Sequence, residues 1–246
     1  MCDTVHESIG TWQGWIDVPE PEISTATGGW VDLTHVFSES MPKVPHVSSP
    51  SFPMTYRLPD DYSNVTEIHM SVHTGTHLDS PFHFINDGPG MDEVPLDRMY
   101  GPGVVWHLPE IEAYRMIEPE DLMACTPELR PGDILLLDTG WWDKCGGTPE
   151  YEQFPCLSQA AAEWLVEKHC KLVGIDNGTP EMAMDKRPEG WKWPVHHTLL
   201  SHGVLVGEFV RNMKVLAGQR VEVMFLALNL AGADGAPARV IARPIT

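Results

Sequence analysis

Apolar residues follow two rhythms along this chain. Alternating patterns or short unbroken apolar runs occur in "GWVDLTHVF", "GVVWHL" (103–108), "GDILLLDTG" (132–140), "KLVGID", "VLVGEF", "VEVMFLALNL" and "PARVIARPI". β-Branched and aromatic runs bounded by Gly and Pro predict strands. A helical rhythm runs through "LSQAAAEWLVEKHC", where Ala161, Trp164 and Leu165 share one side and Ser158 stands as N-cap. "EPEDLMAC" (118–125) reads as a short helix opened by Pro119, and "VHHTLLSHG" as one or two helical turns stopped at Gly203. "SSPSFPM" is a Pro-rich loop, and the Asp-Gly of "AGADGA" predicts a hairpin joining the last two strands. Strands mixed with helices and ending in a C-terminal hairpin indicate an α/β or α+β architecture with a mixed sheet. Residues 1–29 carry neither rhythm and read as an N-terminal extension or arm, leaving 30–246 as the folded domain.

One segment, "SVHTGTHLDSPFHF" (71–84), combines the strand rhythm with unusual chemistry. His73, His77, Asp79 and His83 fall on odd positions, and Val72, Thr74, Thr76, Leu78, Phe82 and Phe84 on even ones, so an extended chain puts the polar set on one face and the others toward a core. A helix would have to absorb Gly75 and Pro81 and is rejected. Full extension separates His73 from His77 by ~13 Å, too far for one ion to join them easily. Gly75 is therefore expected to kink the strand and Pro81 to end it, so that the imidazoles and carboxylate converge. Such a set suits a divalent zinc, manganese or iron ion. The bland alternative, a strand face making ordinary hydrogen bonds, explains one histidine better than three beside an aspartate.

Composition agrees with that reading. Among 246 residues, 35 Asp and Glu oppose 16 Lys and Arg, a net charge of −19 that lowers the cost of holding a dication. The same balance argues against nonspecific nucleic-acid binding, which uses clustered cations. A 42% hydrophobic content is that of a globular chain. "MCDTVHESIG" lacks the basic and apolar regions of a signal peptide, and no apolar run is long enough to span a membrane, so a cytoplasmic location is expected. Five cysteines without a C-x-x-C pair suit reduced thiols, and none sits in a nucleophile motif.

The segment matches every fixed position of the H-x-G-T-H-x-D-x-P-x-H signature of the cyclase family of metal-dependent hydrolases, through His73, Gly75, Thr76, His77, Asp79, Pro81 and His83. "HHTLLSHGVLVGE" resembles a second family segment, selecting His196 and, twelve residues on, Glu208. Weaker similarity runs through "VDLTH", "GDILLLDTGW", "LVGIDNGTPE" and "AGADGAPARV". The resemblance implies a swivelling β/β/α-type fold, a homodimer or homotetramer, and His73, His77 and Asp79 as metal ligands. In a kynurenine formamidase-like arrangement, Asp79 would bridge to a second zinc held with His83, His196 and Glu208. An isatin hydrolase-like arrangement has one manganese and leaves the third signature histidine for proton transfer. Metal-activated water would attack a small cyclic or aryl amide, a formamide or lactam, with His83 or His196 moving the proton. A lactone hydrolase or polyketide-type cyclase could use the same site, and a non-catalytic metal-dependent binding protein is the alternative outside enzymes.

Trp141, Trp142, Trp191 and Trp193 lie beside the matched motifs and are candidates for walls against a planar substrate, as is His69 on the odd face. His197 and His202 flank His196 but point elsewhere on a helix, and His35, His46, His107 and His169 read as structural or surface residues.

Overall fold

The computed structural model describes residues 26–246 apart from 109–110; the expected extension at 1–29 therefore lies, up to residue 25, outside the described residues. Its described end is tied to the fold, with Ala26 bridged to Ile245 and the Thr27 N–H donating to Pro244 O at 3.0 Å.

Eight strands form one sheet: β1 (Val31–Asp32), β2 (His77–Asp79), β3 (Tyr100–His107), β4 (Ile134–Asp138), β5 (Leu172–Ile175), β6 (Leu205–Glu208), β7 (Arg220–Ala227) and β8 (Gly235–Pro244). Their order is β1-β8-β7-β3-β4-β5-β6-β2, and β2 also pairs with β8. Seven strands thus close on themselves, while β1 hangs on β8. Strands β3 to β6 run parallel and the other pairings are antiparallel, the mixed sheet that the sequence indicates.

The apolar run of β4 is unbroken because both of its faces are covered. Ile134 and Leu136 join Leu78, Val105, Leu172, Val223 and Phe225 in one cluster. Leu135 and Leu137 join Val104, Trp106, Val173 and Val206 in another, under Ala161, Ala162 and Leu165 of the helix Gln159–Glu167 and Val195, Leu199 and Leu200 of the helix Pro194–Ser201. Each fully buried leucine contributes about 1.5–3 kcal/mol relative to exposure. The expected cap of Gln159–Glu167 is present, Ser158 Oγ accepting the Ala161 N–H at 3.0 Å. Gly203, at φ +71°, follows the helix Pro194–Ser201 where the sequence places its stop.

Two predicted elements differ. "GWVDLTHVF" yields only the two residues of β1, since the Thr34 side chain takes the Val240 N–H at 2.8 Å in place of the backbone ladder. In the C-terminal hairpin of β7 and β8, Asp234-Gly235 is not the turn; Gly235 already opens β8 and Gly232 adopts the positive φ, +63°. No helix among the described residues is long and apolar enough to cross a membrane.

Candidate metal centre

The histidine-rich segment is extended over only three residues, His77–Asp79. Gly75, at φ +65°, turns the chain upstream of it, and a Cβ there would stand 2.8 Å from Met41 Sδ and 3.2 Å from Phe37 Cε1. Pro81 begins a 3-10 turn, Pro81–His83, downstream. The expected kink and stop are therefore present, but His73 and His83 reach the centre from turns, not from the shared strand face. Among the even positions, Thr74, Thr76 and Leu78 are buried whereas Phe82 is exposed, because it leaves the strand on the 3-10 turn. Gly75→Ala is expected to destabilise the protein by about 1–3 kcal/mol through left-handed backbone strain and crowding, measurable by urea unfolding; an unchanged midpoint would show that the turn tolerates a side chain.

Closure of the sheet assembles the rest. On β2, His77 lies opposite Glu208 of β6, and Asp79 opposite Gly235 of β8. A Cβ on Gly235 would approach His73 Cε1 to 3.1 Å and Leu78 O to 2.9 Å, so a glycine lets the two strands and the imidazole come this close. His196 enters from the first turns of the helix Pro194–Ser201.

Each of these three imidazoles has one nitrogen engaged on its outer side. His73 Nε2 is 2.7 Å from Asp234 Oδ2, His77 Nδ1 is 2.8 Å from Gly75 O, and His196 Nδ1 is 3.2 Å from Glu181 Oε1. Carboxylate and carbonyl oxygens accept only, so these nitrogens are assigned as the donors. The inner nitrogens face acidic oxygens. His73 Nδ1 is 3.0 Å and His77 Nε2 is 3.3 Å from Asp79 Oδ1, while His196 Nε2 is 3.7 Å from Asp79 Oδ2 and 3.3 Å from Glu208 Oε1. His77 Nε2 also lies 3.4 Å from Glu208 Oε2.

Despite those approaches, His77 Nε2 and both Asp79 carboxylate oxygens are buried without a hydrogen bond. Leaving such groups unpaired costs about 1–3 kcal/mol each, more for a charge, so a proton or a cation has to lie between them. Burial opposes charging the imidazoles, yet the nearby Asp234 and Asp79 carboxylates raise His73 to a pKa of about 9, and those of Asp79 and Glu208 raise His77 to about 10. His196 is likewise raised against burial, by Asp79, Glu181 and Glu208. A dication at this point meets the same field. Three overlapping groups among the described residues have ligand spacing, His73/His77/Asp79, Asp79/His196/Glu208 and His73/His83/Asp234; the first two are the buried ones and fit nitrogen- and oxygen-seeking divalent metals.

His83 is grouped differently. It falls with His73 and Asp234 rather than with His196 and Glu208, because the 3-10 turn carries its ring toward β8. Its ring stacks on His73 at 4.0 Å, and Nδ1 is 3.3 Å from Asp234 Oδ2. Burial lowers the His83 pKa, as do the neighbouring His73 and His196, against the pull of Asp79. A hydrogen bond from His73 holds Asp234 at about 2. Sequence reasoning missed both Asp234, taken for a turn residue, and Glu181, which lies inside the quoted "LVGIDNGTPE".

Glu181 Oε1 accepts the His196 backbone N–H at 2.8 Å as well as the ring N–H, fixing both the helix start and the imidazole. Glu181→Gln is expected to weaken divalent metal binding roughly 10- to 100-fold, as loss of a ligand-orienting partner does. A chelator-competition titration checks this; an affinity within twofold of wild type would remove Glu181 from that role.

A cavity of about 270 Å³ opens beside the cluster, with His73, His83, His196 and Glu208 in its wall and Phe84, Phe154, Trp193 and Phe209 among its aromatic lining. Phe84 stacks on His196 at 4.4 Å and lies 5.5 Å from Trp193. Of the four tryptophans expected near substrate, only Trp193 lines this cavity. Trp141 is buried in a core cluster, donating from Nε1 to Tyr151 O at 2.9 Å, and Trp142 packs edge-on against His35 at 4.3 Å. Trp191 is half-buried outside the lining, and His69 is exposed beside Glu67. His46, read as a structural or surface residue, belongs to the wall.

Comparison with known proteins agrees with this geometry. The sequence pattern of the Cyclase family matches residues 31–182. A kynurenine formamidase of Bacillus cereus is 31% identical over 220 residues, covering 89% of this chain and 99% of that protein. A solved structure described as a potential metal-dependent hydrolase with cyclase activity has a TM-score of 0.72 at 28% identity, over 89% of this chain and 98% of its own. An isatin hydrolase bound to the product analogue thioisatinate shares the fold, with a TM-score of 0.80 at 18% identity over 88% of this chain and 92% of its own. A family pattern spanning more than half of the sequence, and a relative at 31% identity along nearly its whole length, place this chain in the Cyclase family.

Proposed function

We propose that the protein is a metal-dependent hydrolase of a small aryl amide, a formamide or lactam, acting on a C–N bond other than a peptide bond. The observation that carries this reading is the division of Asp79, with Oδ1 facing His73 and His77 and Oδ2 facing His196. Zinc or manganese would be held there by Asp79 with His73 and His77 on one side and with His196 and Glu208 on the other. When bound, such ions lower the pKa of water toward about 7 and polarise a carbonyl oxygen.

The chain's own groups supply the rest. With both ring nitrogens of His196 turned toward carboxylates, proton transfer falls to His83, which faces the cavity and whose pKa burial lowers from its ordinary value, favouring the uncharged form that a base needs. It accepts the proton of the attacking water and returns it to the departing nitrogen, with Asp234 orienting its ring. Phe84 and Trp193 give a planar substrate apolar faces beside the cluster and exclude competing water. Similarity to kynurenine formamidases and the small aromatic cavity support an aryl amide. The test is a panel of matched aryl formamides, lactams and lactones assayed before and after chelation and after return of zinc or manganese. Turnover of the amides that disappears with the metal and returns with it is the expected result; undiminished activity in protein shown metal-free by elemental analysis would overturn the proposal.

A further inference from the structure

Arg187 lies in the cavity wall, half-buried, and is poorly served by the rest of the protein. Its Nε donates to Met182 O at 2.7 Å, and its guanidinium carbon stands 3.9 Å from the centre of the Trp193 ring. Among the described residues no carboxylate forms an ion pair with it; Glu181 and Glu208 act on it only through space. Lys43, the other long cation of the wall, already donates to Val47 O at 3.0 Å and is within the field of Glu152. In a chain with 35 acidic and 16 basic residues, an arginine left without an acid partner beside an apolar cavity points to an anion supplied from outside.

We propose that Arg187 is a specificity-determining residue that binds a carboxylate carried by the substrate, so that the preferred substrates are aryl amides bearing an acid group; this rests on the hydrolase reading above. The guanidinium fork matches a carboxylate with two parallel N–H···O bonds, which an ammonium does not. The Trp193 ring, 3.9 Å from its centre to the guanidinium carbon, holds the group against the cavity wall, and among the described residues its Nη groups make no hydrogen bond. The Trp193 ring is in turn 6.1 Å from the His196 ring, so one small aromatic molecule can touch both the arginine and the metal cluster.

The competing role for Arg187 is to balance the charge of Glu181, which orients His196, and the two roles separate experimentally. The full-length, metal-loaded protein is assayed with a formanilide bearing a ring carboxylate and with its neutral carboxamide counterpart. Wild type is expected to favour the acid, and Arg187→Met to lower the acid-to-amide ratio of kcat/KM roughly 10- to 100-fold, chiefly through KM. Arg187→Lys should recover part of that ratio. An equal loss for both substrates, or a loss confined to kcat, would assign Arg187 to Glu181 and overturn the proposal, as would a wild type without preference for the acid. Should wild type hydrolyse neither compound nor any amide of the wider panel, the hydrolase reading fails instead, and binding decides the arginine's role. Tryptophan fluorescence of metal-free protein is then titrated with benzoate and benzamide. Tighter benzoate binding that Arg187→Met removes supports the carboxylate site, and equal affinities refute it.

Discussion

Asp79→Asn is expected to leave the protein unable to retain divalent metal and to lower kcat/KM for an aryl formamide on the order of 10³-fold or more, the activation of water being lost with the ions. The two oxygens of Asp79 face different imidazole groups, so one substitution replaces the oxygen on one side by an NH2 that cannot ligate and deletes the charge common to both. Asparagine has nearly the same shape, which keeps the buried site filled. The inner imidazoles lose the charge that holds them protonated, so the metal-free variant is expected to unfold earlier than the metal-free wild type while staying folded at assay temperature, which circular dichroism checks. The combination separates metal loss from misfolding. Glu208→Gln is the comparison, since Glu208 has ligand spacing with Asp79 and His196 but is not in the His73/His77/Asp79 group, and its loss should empty the His196 position while sparing the other. Elemental analysis of both variants after dialysis gives the count. If Asp79→Asn keeps wild-type metal content and turnover within tenfold, Asp79 is not a shared ligand and the proposed site fails.

Residue chemistry made the clustering side chains legible, but the geometry came from elsewhere. Odd spacing in "SVHTGTHLDSPFHF" selects side chains that come together, although only His77 and Asp79 share a strand; the others are delivered by a left-handed turn at Gly75 and a 3-10 turn at Pro81. Periodicity describes local backbone, and it cannot show that β2 closes the sheet by pairing with both β6 and β8. That closure is what brings Asp234 against His73 across 161 residues of sequence. Asp-Gly reads locally as a turn, and only the strand pairing turns Asp234 into the partner of two histidines. Glu181 was illegible for the same reason, since its value lies in the helix Pro194–Ser201 starting beside it. Central strands were plain because burial on both faces leaves an unbroken apolar run, as in β4. The tryptophans show the limit of aromatic content as a guide: Trp141 and Trp193 sit in similar loop-like sequence, yet one fills a core and the other walls the cavity.

His83→Gln should reduce kcat by about 10²- to 10⁴-fold, the usual contribution of a general acid–base group, while the protein keeps its full complement of metal. This pairing of results distinguishes proton transfer from ligation, because loss of a ligand would lower metal content as well. Geometry favours it: the His83 ring stacks on His73 and its Nδ1 turns toward Asp234, away from the Asp79/His196/Glu208 group. The pH profile adds a sign. Burial, together with His73 and His196, lowers the His83 pKa from its ordinary value near 6.5, and a dication nearby pushes it the same way. A base must be uncharged to accept a proton, so activity should hold at neutral pH and fall as pH drops through a value below 6.5. Glutamine cannot titrate, and the residual activity of the variant should lose that acid limb. Asp234→Asn, which leaves His83 in place but weakens its orientation, should cost roughly 10-fold to 100-fold in kcat and shift the limb to still lower pH, since an anion that favours the charged ring is gone. An acid limb unchanged in His83→Gln, or metal lost in proportion to activity, would move His83 from the proton path to the ligand shell.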